Sequence, residues 1–264
     1  MVEIGVEHAM LTKGRKPGPS SGSKSQCIAQ ALASAIVAGN LSDGAFLPPE
    51  NELAARFEVS RPIVREALHK VAGAGLVESR HGIGTYVKPE SSWGLFDSLV
   101  MEAYVATGNL PRVLNEIIEL RRMVEVEAAG NAAARIGQVG LARLGDWLEQ
   151  MDDVIADPDR TARADIAFHD AIVAVTENRF LVAIARQPRR LLLEARHLTS
   201  TAGGLSGRRR ALDEHRRVYD AIREGNGEEA REAMSVHVSN SEADLRRAIL
   251  REGGDHASGR GDDR

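Results

Sequence analysis

Leu47-Pro48-Pro49-Glu50-Asn51-Glu52-Leu53-Ala54, Val59-Ser60-Arg61-Pro62-Ile63-Val64-Arg65-Glu66-Ala67-Leu68, Gly75-Leu76-Val77-Glu78 and Gly82-Ile83-Gly84-Thr85-Tyr86-Val87 follow one another within residues 47–87, and their reading decides the fold. Prolines and acids at 48–52 open a short helix that ends near Phe57. Ser60 suits the cap of the next helix, Val59 can staple onto Val64, and Pro62 falls in the first turn, where no intrahelical N–H bond is lost. That helix runs to about Ala72. Two brief strands follow, Leu76-Val77-Glu78 and Thr85-Tyr86-Val87, joined by 79–84, whose glycines permit a tight tip. Upstream, Ile28, Leu32, Ile36 and Val37 recur at helical spacing before Gly39. Three helices and a β-hairpin make a winged helix-turn-helix, expected over 26–89.

Outward from this stretch the pattern changes once, near Val87-Lys88-Pro89-Glu90-Ser91-Ser92, where a polar, Pro-containing segment marks a domain boundary. Beyond it, about seven amphipathic helices are expected, at 93–106, 111–135, 138–156, 160–175, 179–200, 208–224 and 228–250, packed as an antiparallel all-α bundle over 93–250. Segments 1–25 and 252–264, rich in Gly, Ser and Pro or in charge, read as flexible tails, with His256 solvated in the second. The fold class is mainly α, as the composition requires: 43% hydrophobic residues but only 4% aromatic, with Ala, Leu, Arg and Glu abundant. Cys27 is the single cysteine, which excludes an intrachain disulfide framework and any multi-cysteine metal site. No run approaches a membrane-spanning length and no secretory core is visible, so no membrane partner and a cytoplasmic location are expected.

Charge is nearly balanced in the first 90 residues, ten Lys+Arg against nine Asp+Glu, so nucleic-acid affinity cannot come from bulk charge there. Placement matters instead. Arg61 and Arg65 are four residues apart, hence on one helix face, and Ile63, Val64, Ala67 and Leu68 take the packed side. Two forked donors projecting from the N-terminal half of a helix are suited to guanine edges in the major groove. Ser60 and the helix N-terminus can take phosphate, and the wing tip, Arg80-His81-Gly82, would meet the minor groove or backbone. The same spacing also fits arginines that merely pair with Glu58 and Glu66 on a solvated helix.

In the second domain, Asp165 and His169 are i,i+4 on one helix. His215 lies ten residues before Gly225 and His237 ten after Gly227, so two antiparallel helices leaving the Gly225-Asn226-Gly227 turn carry these imidazoles at one level, about 15 Å from the turn. Three imidazoles and a carboxylate can then converge, although each histidine alone fits an ordinary core or surface position. His69 and His197 lack such mates. The donor set suits a divalent ion, with Zn, Ni, Mn and Fe indistinguishable.

Residues 39–87 resemble the GntR family of bacterial winged-helix regulators in all the segments quoted above. The resemblance implies double-stranded DNA contacts at Ser60, Arg61, Arg65, His81 and Gly82. Asn51 departs from it, standing where relatives usually carry Arg, and is retained as a DNA-contact candidate. The second domain resembles the helical FCD branch of that family through Glu119-Leu120-Arg121 with Glu125, Asp165 with Phe168-His169, Glu177-Asn178, Glu214-His215, Ala221-Ile222 and His237. This implies a metal bound by Asp165, His169, His215 and His237, and an effector pocket for a small organic acid with Arg121 and Asn178 among its contacts. Read from the residues alone, Arg121 could pair with Glu125 one turn on and Asn178 could cap a helix.

The expectation is therefore a homodimeric, ligand-responsive regulator, a repressor of a palindromic operator, sensing a small carboxylate of the sugar-acid kind. Trp93-Gly94-Leu95-Phe96-Asp97 resembles a stretch of sugar-acid-responsive relatives. Two alternatives stand beside it: a metal-dependent hydrolase, for which no nucleophile motif or Gly-rich loop is present, and a constitutive DNA-binding protein whose helical domain only dimerises. No enzyme activity is expected.

Overall fold

The computed structural model describes residues 23–258, with side chains through Leu250. The expected tails therefore lie largely outside the described residues, as does the His256 side chain. Their described ends are corrections: Ser23 caps the first helix, Lys24 and Ser25 belong to it, and the last helix continues to Ser258. Ser25 is buried there and donates to Glu66 Oε1 at 2.7 Å, which is what draws it into the fold.

The described chain packs as two compact units that part between Leu110 and Pro111. The first contains α1 (Lys24–Val37), α2 (Glu50–Arg56), α3 (Arg61–Gly73), a hairpin of β1 (Val77–Arg80) and β2 (Gly84–Val87), and α4 (Ser98–Ala106). Leu32 and Ile36 of α1, Leu53 of α2, Val64 and Val71 of α3 and Leu76 form its core, each side chain contributing about 1.5–3 kcal/mol by leaving water. The strands pair antiparallel from Val77 opposite Val87 to Arg80 opposite Gly84, one pair longer than the sequence predicts, and Phe46 adds a bridge to Tyr86. Only His81-Gly82-Ile83 remain as the wing tip. Gly75 has φ +77°, and a Cβ there would stand 2.3 Å from the Ser92 carbonyl, so only glycine allows the chain to pass between helix and wing.

The unit boundary falls later than the sequence predicts. α4 packs on α1, with Val100, Ala103 and Tyr104 buried, and Asn109 Nδ2 donates to the Val37 carbonyl at 3.1 Å. An apolar helix beyond the linker was free to join either core, and it completes the first.

The second unit is helical throughout its described length: α5 (Leu110–Arg135), α6 (Gln138–Asp153), α7 (Pro158–Ala174), α8 (Arg179–Arg186), α9 (Arg189–Ala202), α10 (Gly204–Arg223) and α11 (Gly227–Ser258). α10 packs on α11 and α6, and α7 on α6 and α9, around Phe168, Leu144, Ile172, Ile222 and Met234. The helix expected at 179–200 is two helices. Pro188 has no N–H to continue α8 and stands at the N-cap of α9. No helix among the described residues is long and apolar enough to cross a membrane.

Candidate functional site

In the first unit, Arg61 and Arg65 rise from the first turns of α3 with side chains 59% and 61% exposed. Neither pairs with Glu58 or Glu66; both face Glu50. Arg65 donates from Nε and Nη2 to the two oxygens of Glu50, at 3.1 and 2.8 Å, and Arg61 Nη2 lies 3.8 Å from the same carboxylate. The hydrogen bond from Arg65 holds the Glu50 carboxyl below its ordinary range. Glu66 instead takes Ser25 and Lys70. Ser60 occupies the N-cap of α3 in extended conformation, but its side chain makes no capping bond, contrary to expectation. A hydroxyl at a helix N-terminus, not engaged by the cap, is suited to a phosphate oxygen. Asn51 is exposed on the first turn of α2, and His81 and Gly82 are exposed at the wing tip, Gly82 at φ +74°. Arg80 is engaged, donating to Glu78 at 2.8 Å and lying 5.0 Å over the Tyr86 ring.

In the second unit, Asp165, His169, His215 and His237 are all buried, and one ligand atom from each lies within 4.8 Å of the others. α7 supplies the first pair, α10 and α11 the other two, from either side of a turn in which Gly225 takes φ +72°. His215 Nε2 is 3.2 Å from His169 Nε2 and 3.1 Å from Asp165 Oδ1. The rings of His215 and His237 are 4.2 Å apart, with Phe168 edge-on to His169 and His215. Carboxylates stand behind two of the imidazoles. His237 Nδ1 is 3.0 Å from Glu214 Oε2, and His169 Nδ1 lies 2.9 Å from Glu125 Oε2, in ion-pair range but off a hydrogen-bond line.

The surroundings favour neutral His169 and His237 beside an ionised Asp165. Burial pushes His237 well below the usual histidine range, with the neighbouring imidazoles adding to it, and burial likewise lowers His169. Burial works against the Asp165 charge, but Arg196 and His215 outweigh it and hold that carboxyl well below its ordinary value. Arg121 does the same for Glu125. The Nε2 atoms of His169 and His215, facing each other at 3.2 Å, leave a proton or a cation to be shared between them. His215 Nδ1 and His237 Nε2 are buried without hydrogen-bond partners, whereas Asp165 Oδ2 lies 2.7 Å from Arg196 Nε. Three imidazoles and one carboxylate at this spacing, with His237 Nε2 left unpartnered, fit a divalent metal ion.

The two effector candidates part company. Arg121 is buried and gives Nε and Nη2 to Glu125 at 2.7 and 2.8 Å, lining a small cavity with Glu125, Asp165 and His169. Asn178 is exposed and caps α8, accepting from the Phe180 and Leu181 amides; it lines neither cavity beside Asp165. His197 pairs with Asp159 at 2.6 Å, outside the donor group.

The residue that sequence reasoning missed is Arg196 of α9. Its side chain is 11% exposed, its Nε is 2.7 Å from Asp165 Oδ2, and Nη1 donates to Ser241 Oγ at 2.9 Å. Nη2 stands 3.5 Å from His169 Nε2. Arg196 and Asp165 line both cavities: the one beside Arg121, and a larger cleft toward α10 and α11 with a volume of about 50 Å³. The faint signal was Leu192, a buried residue one turn before it.

Residues 24–87 match the bacterial regulatory proteins of the gntR family, and residues 116–240 match the FCD domain. The HTH-type transcriptional regulator LutR of Bacillus subtilis is 33% identical over 211 residues, covering 77% of this chain and 93% of LutR. The galactonate operon transcriptional repressor of Escherichia coli is 28% identical over 222 residues, covering 83% of this chain and 95% of the repressor. Among solved structures, Lar, which controls expression of the Listeria monocytogenes agr system, matches with a TM-score of 0.59 at 18% identity, over 86% of this chain and 99% of Lar, a likeness of fold. The exposed arginine pair of a winged unit and the buried donor cluster of a helical one thus belong to a transcription regulator: the chain is a member of the gntR family of bacterial regulatory proteins, with an FCD domain as its C-terminal half.

Proposed function

We propose that this regulator acts in the cytoplasm as a homodimeric repressor, binding a palindromic operator through two winged units of residues 26–89 and releasing it when the helical domain of residues 93–250 takes up a small carboxylate. Ser60, Arg61, Arg65, His81, Gly82 and Asn51 are its DNA contacts. Asp165, His169, His215 and His237 would hold a divalent ion, which supplies a Lewis-acidic cation that an effector oxygen can bind. Around it the chain's own groups do the selecting. Arg121 and Arg196 set positive charge against the cluster, and a buried anion answers that charge where a neutral metabolite would not. The observation that carries this reading is the convergence of four buried donors beside a cleft lined by Arg196. The galactonate repressor, matched along nearly its full length, supports the sugar-acid class. Effector binding changes operator affinity only by as much as it distinguishes the free and DNA-competent states.

The test combines operator selection with gel shifts at fixed salt, with and without sugar acids, hydroxy acids and dicarboxylates, on metal-loaded and metal-depleted protein. Sequence-specific binding weakened by a carboxylate only in the loaded protein is the expected result. Operator binding that no carboxylate alters, loaded or depleted, would leave a constitutive DNA-binding protein.

A further inference from the structure

Resting on the proposed operator binding by the winged unit, we infer that the cleft between α3 and β1 seats a stretch of the DNA sugar-phosphate backbone, with Lys88 and His69 as phosphate contacts. The cleft is a cavity of about 480 Å³ within the first unit, and Arg65 and Glu50 are among its lining residues. It is therefore continuous with the face that carries the exposed arginines of α3. His69 lies one turn beyond Arg65 on the helix wall, and Ser79 and Lys88 stand on the wall made by the wing.

A helix lodged in the major groove and a hairpin tip in the neighbouring minor groove lie on opposite sides of one phosphate strand. That strand has to pass between them, and the space between α3 and the hairpin is this cleft. Leu68, Ala72 and Val77 close its bottom, an apolar surface suited to deoxyribose carbons and not to charge. The polar groups stand along its flanks, where phosphates would lie.

The two acids of the cleft are already answered. Glu50 takes Arg65 through both oxygens, and Glu78 accepts from Arg80 at 2.8 Å. Neither the Lys88 ammonium nor the His69 ring has a hydrogen-bond or ion-pair partner among the described residues. Lys88 is nevertheless anchored, its amide donating to the Leu76 carbonyl at 2.9 Å and its carbonyl accepting from Trp93 Nε1 at 3.0 Å. The backbone is fixed and the charge is left over. Ser79 Oγ, 2.8 Å from Thr85 Oγ1, can accept from that hydroxyl and donate to a phosphate. Lys70, also on α3, spends its charge on Glu66 at 3.2 Å and donates to Ser25. Phosphate contacts add affinity for any sequence and fix the register in which Arg61 and Arg65 choose one.

The experiment uses the full-length protein and two duplexes of equal length, the operator recovered by selection and its scrambled sequence, titrated by anisotropy over a series of salt concentrations. Lys88→Met is expected to weaken both duplexes by the same factor, about threefold or more, and to reduce the slope of log affinity against log salt by about one. His69→Ala is expected to weaken both duplexes alike, and His69→Gln, which keeps a donor, to lose less. Lys70→Met removes the same charge from a paired position and is expected to leave the slope unchanged. Arg65→Ala narrows the ratio between the duplexes instead. Wild-type affinity for both duplexes in Lys88→Met and His69→Ala, a loss confined to the operator, or an equal slope change in Lys70→Met overturns the inference and leaves operator binding standing. A wild type that does not prefer the operator overturns the operator reading, and the slope on the scrambled duplex still decides the cleft.

Discussion

Arg65 on α3 is held edge-on by Glu50 at the start of α2, its Nε and Nη2 each bound to one carboxylate oxygen at 3.1 and 2.8 Å. The guanidinium is fixed before DNA arrives, and the edge left outward is the end-on pair of nitrogens, the geometry that guanine O6 and N7 accept. Arg65→Ala and Arg61→Ala should each cost about 1–3 kcal/mol of operator binding and relax a G·C preference in each half-site. Glu50→Gln, which retains an amide oxygen but no charge, should lose less affinity and more discrimination. Anisotropy titrations against the selected operator and its G·C-substituted variants measure both; full operator affinity in both arginine variants would remove them from the reading face.

His215→Ala or His237→Ala should abolish stoichiometric metal binding and lower the thermal midpoint of the loaded protein, since each removes a buried donor from a separate helix. His197→Ala, whose ring pairs with Asp159 at the surface, should do neither. Elemental analysis and melting curves decide it, and a wild type that cannot be loaded with any divalent metal would refute the site.

The carboxylates behind the imidazoles have their own signature. Glu214→Gln weakens the hydrogen bond at His237 Nδ1, and Glu125→Gln removes the carboxylate charge that stands 2.9 Å from His169 Nδ1. Each should lower metal affinity by about 10–100-fold while leaving all four donors in place. Competition with a chelator of known affinity measures the change; unaltered affinity in both variants would show that the carboxylates do not orient the rings.

Gly75 and Gly39 share φ +77°, yet differ in their surroundings. A Cβ on Gly39 meets nothing within 4 Å, so Gly39→Ala should cost only the left-handed backbone penalty, about 1–2 kcal/mol. At Gly75 it would stand 2.3 Å from a backbone carbonyl, so Gly75→Ala should cost clearly more. Denaturant unfolding of the two variants side by side checks the order, and equal costs would contradict it.

What the sequence made legible is what local spacing encodes. The α3 arginines, the wing and the i,i+4 pair of Asp165 and His169 all follow from periodicity, and equal distances from a glycine turn bring His215 level with His237. Arg196 escaped because its meaning depends on which way α9 is rolled and on Ser241 of α11, a residue far along the chain. Glu50 escaped for the same reason: it reaches Arg65 across the turn between α2 and α3, whereas helix spacing offers only Glu58 and Glu66. Pro188 was visible but outweighed by the apolar periodicity on both sides, and the attachment of α4 to α1 is decided by competition between two cores rather than by any local signal.

The four clustered donors belong to three helices, and the chain from Asp165 to His237 passes through all of α8 and α9 between them. An ion held there would be a removable cross-link: unlike a disulfide it binds the folded arrangement and not the unfolded chain, so its binding free energy adds to the stability of the bundle. The cross-link would lie across α7, α10 and α11, three of the helices that line the larger cleft. Stripping the ion with a chelator would then leave the bundle with the stability of its side-chain packing alone.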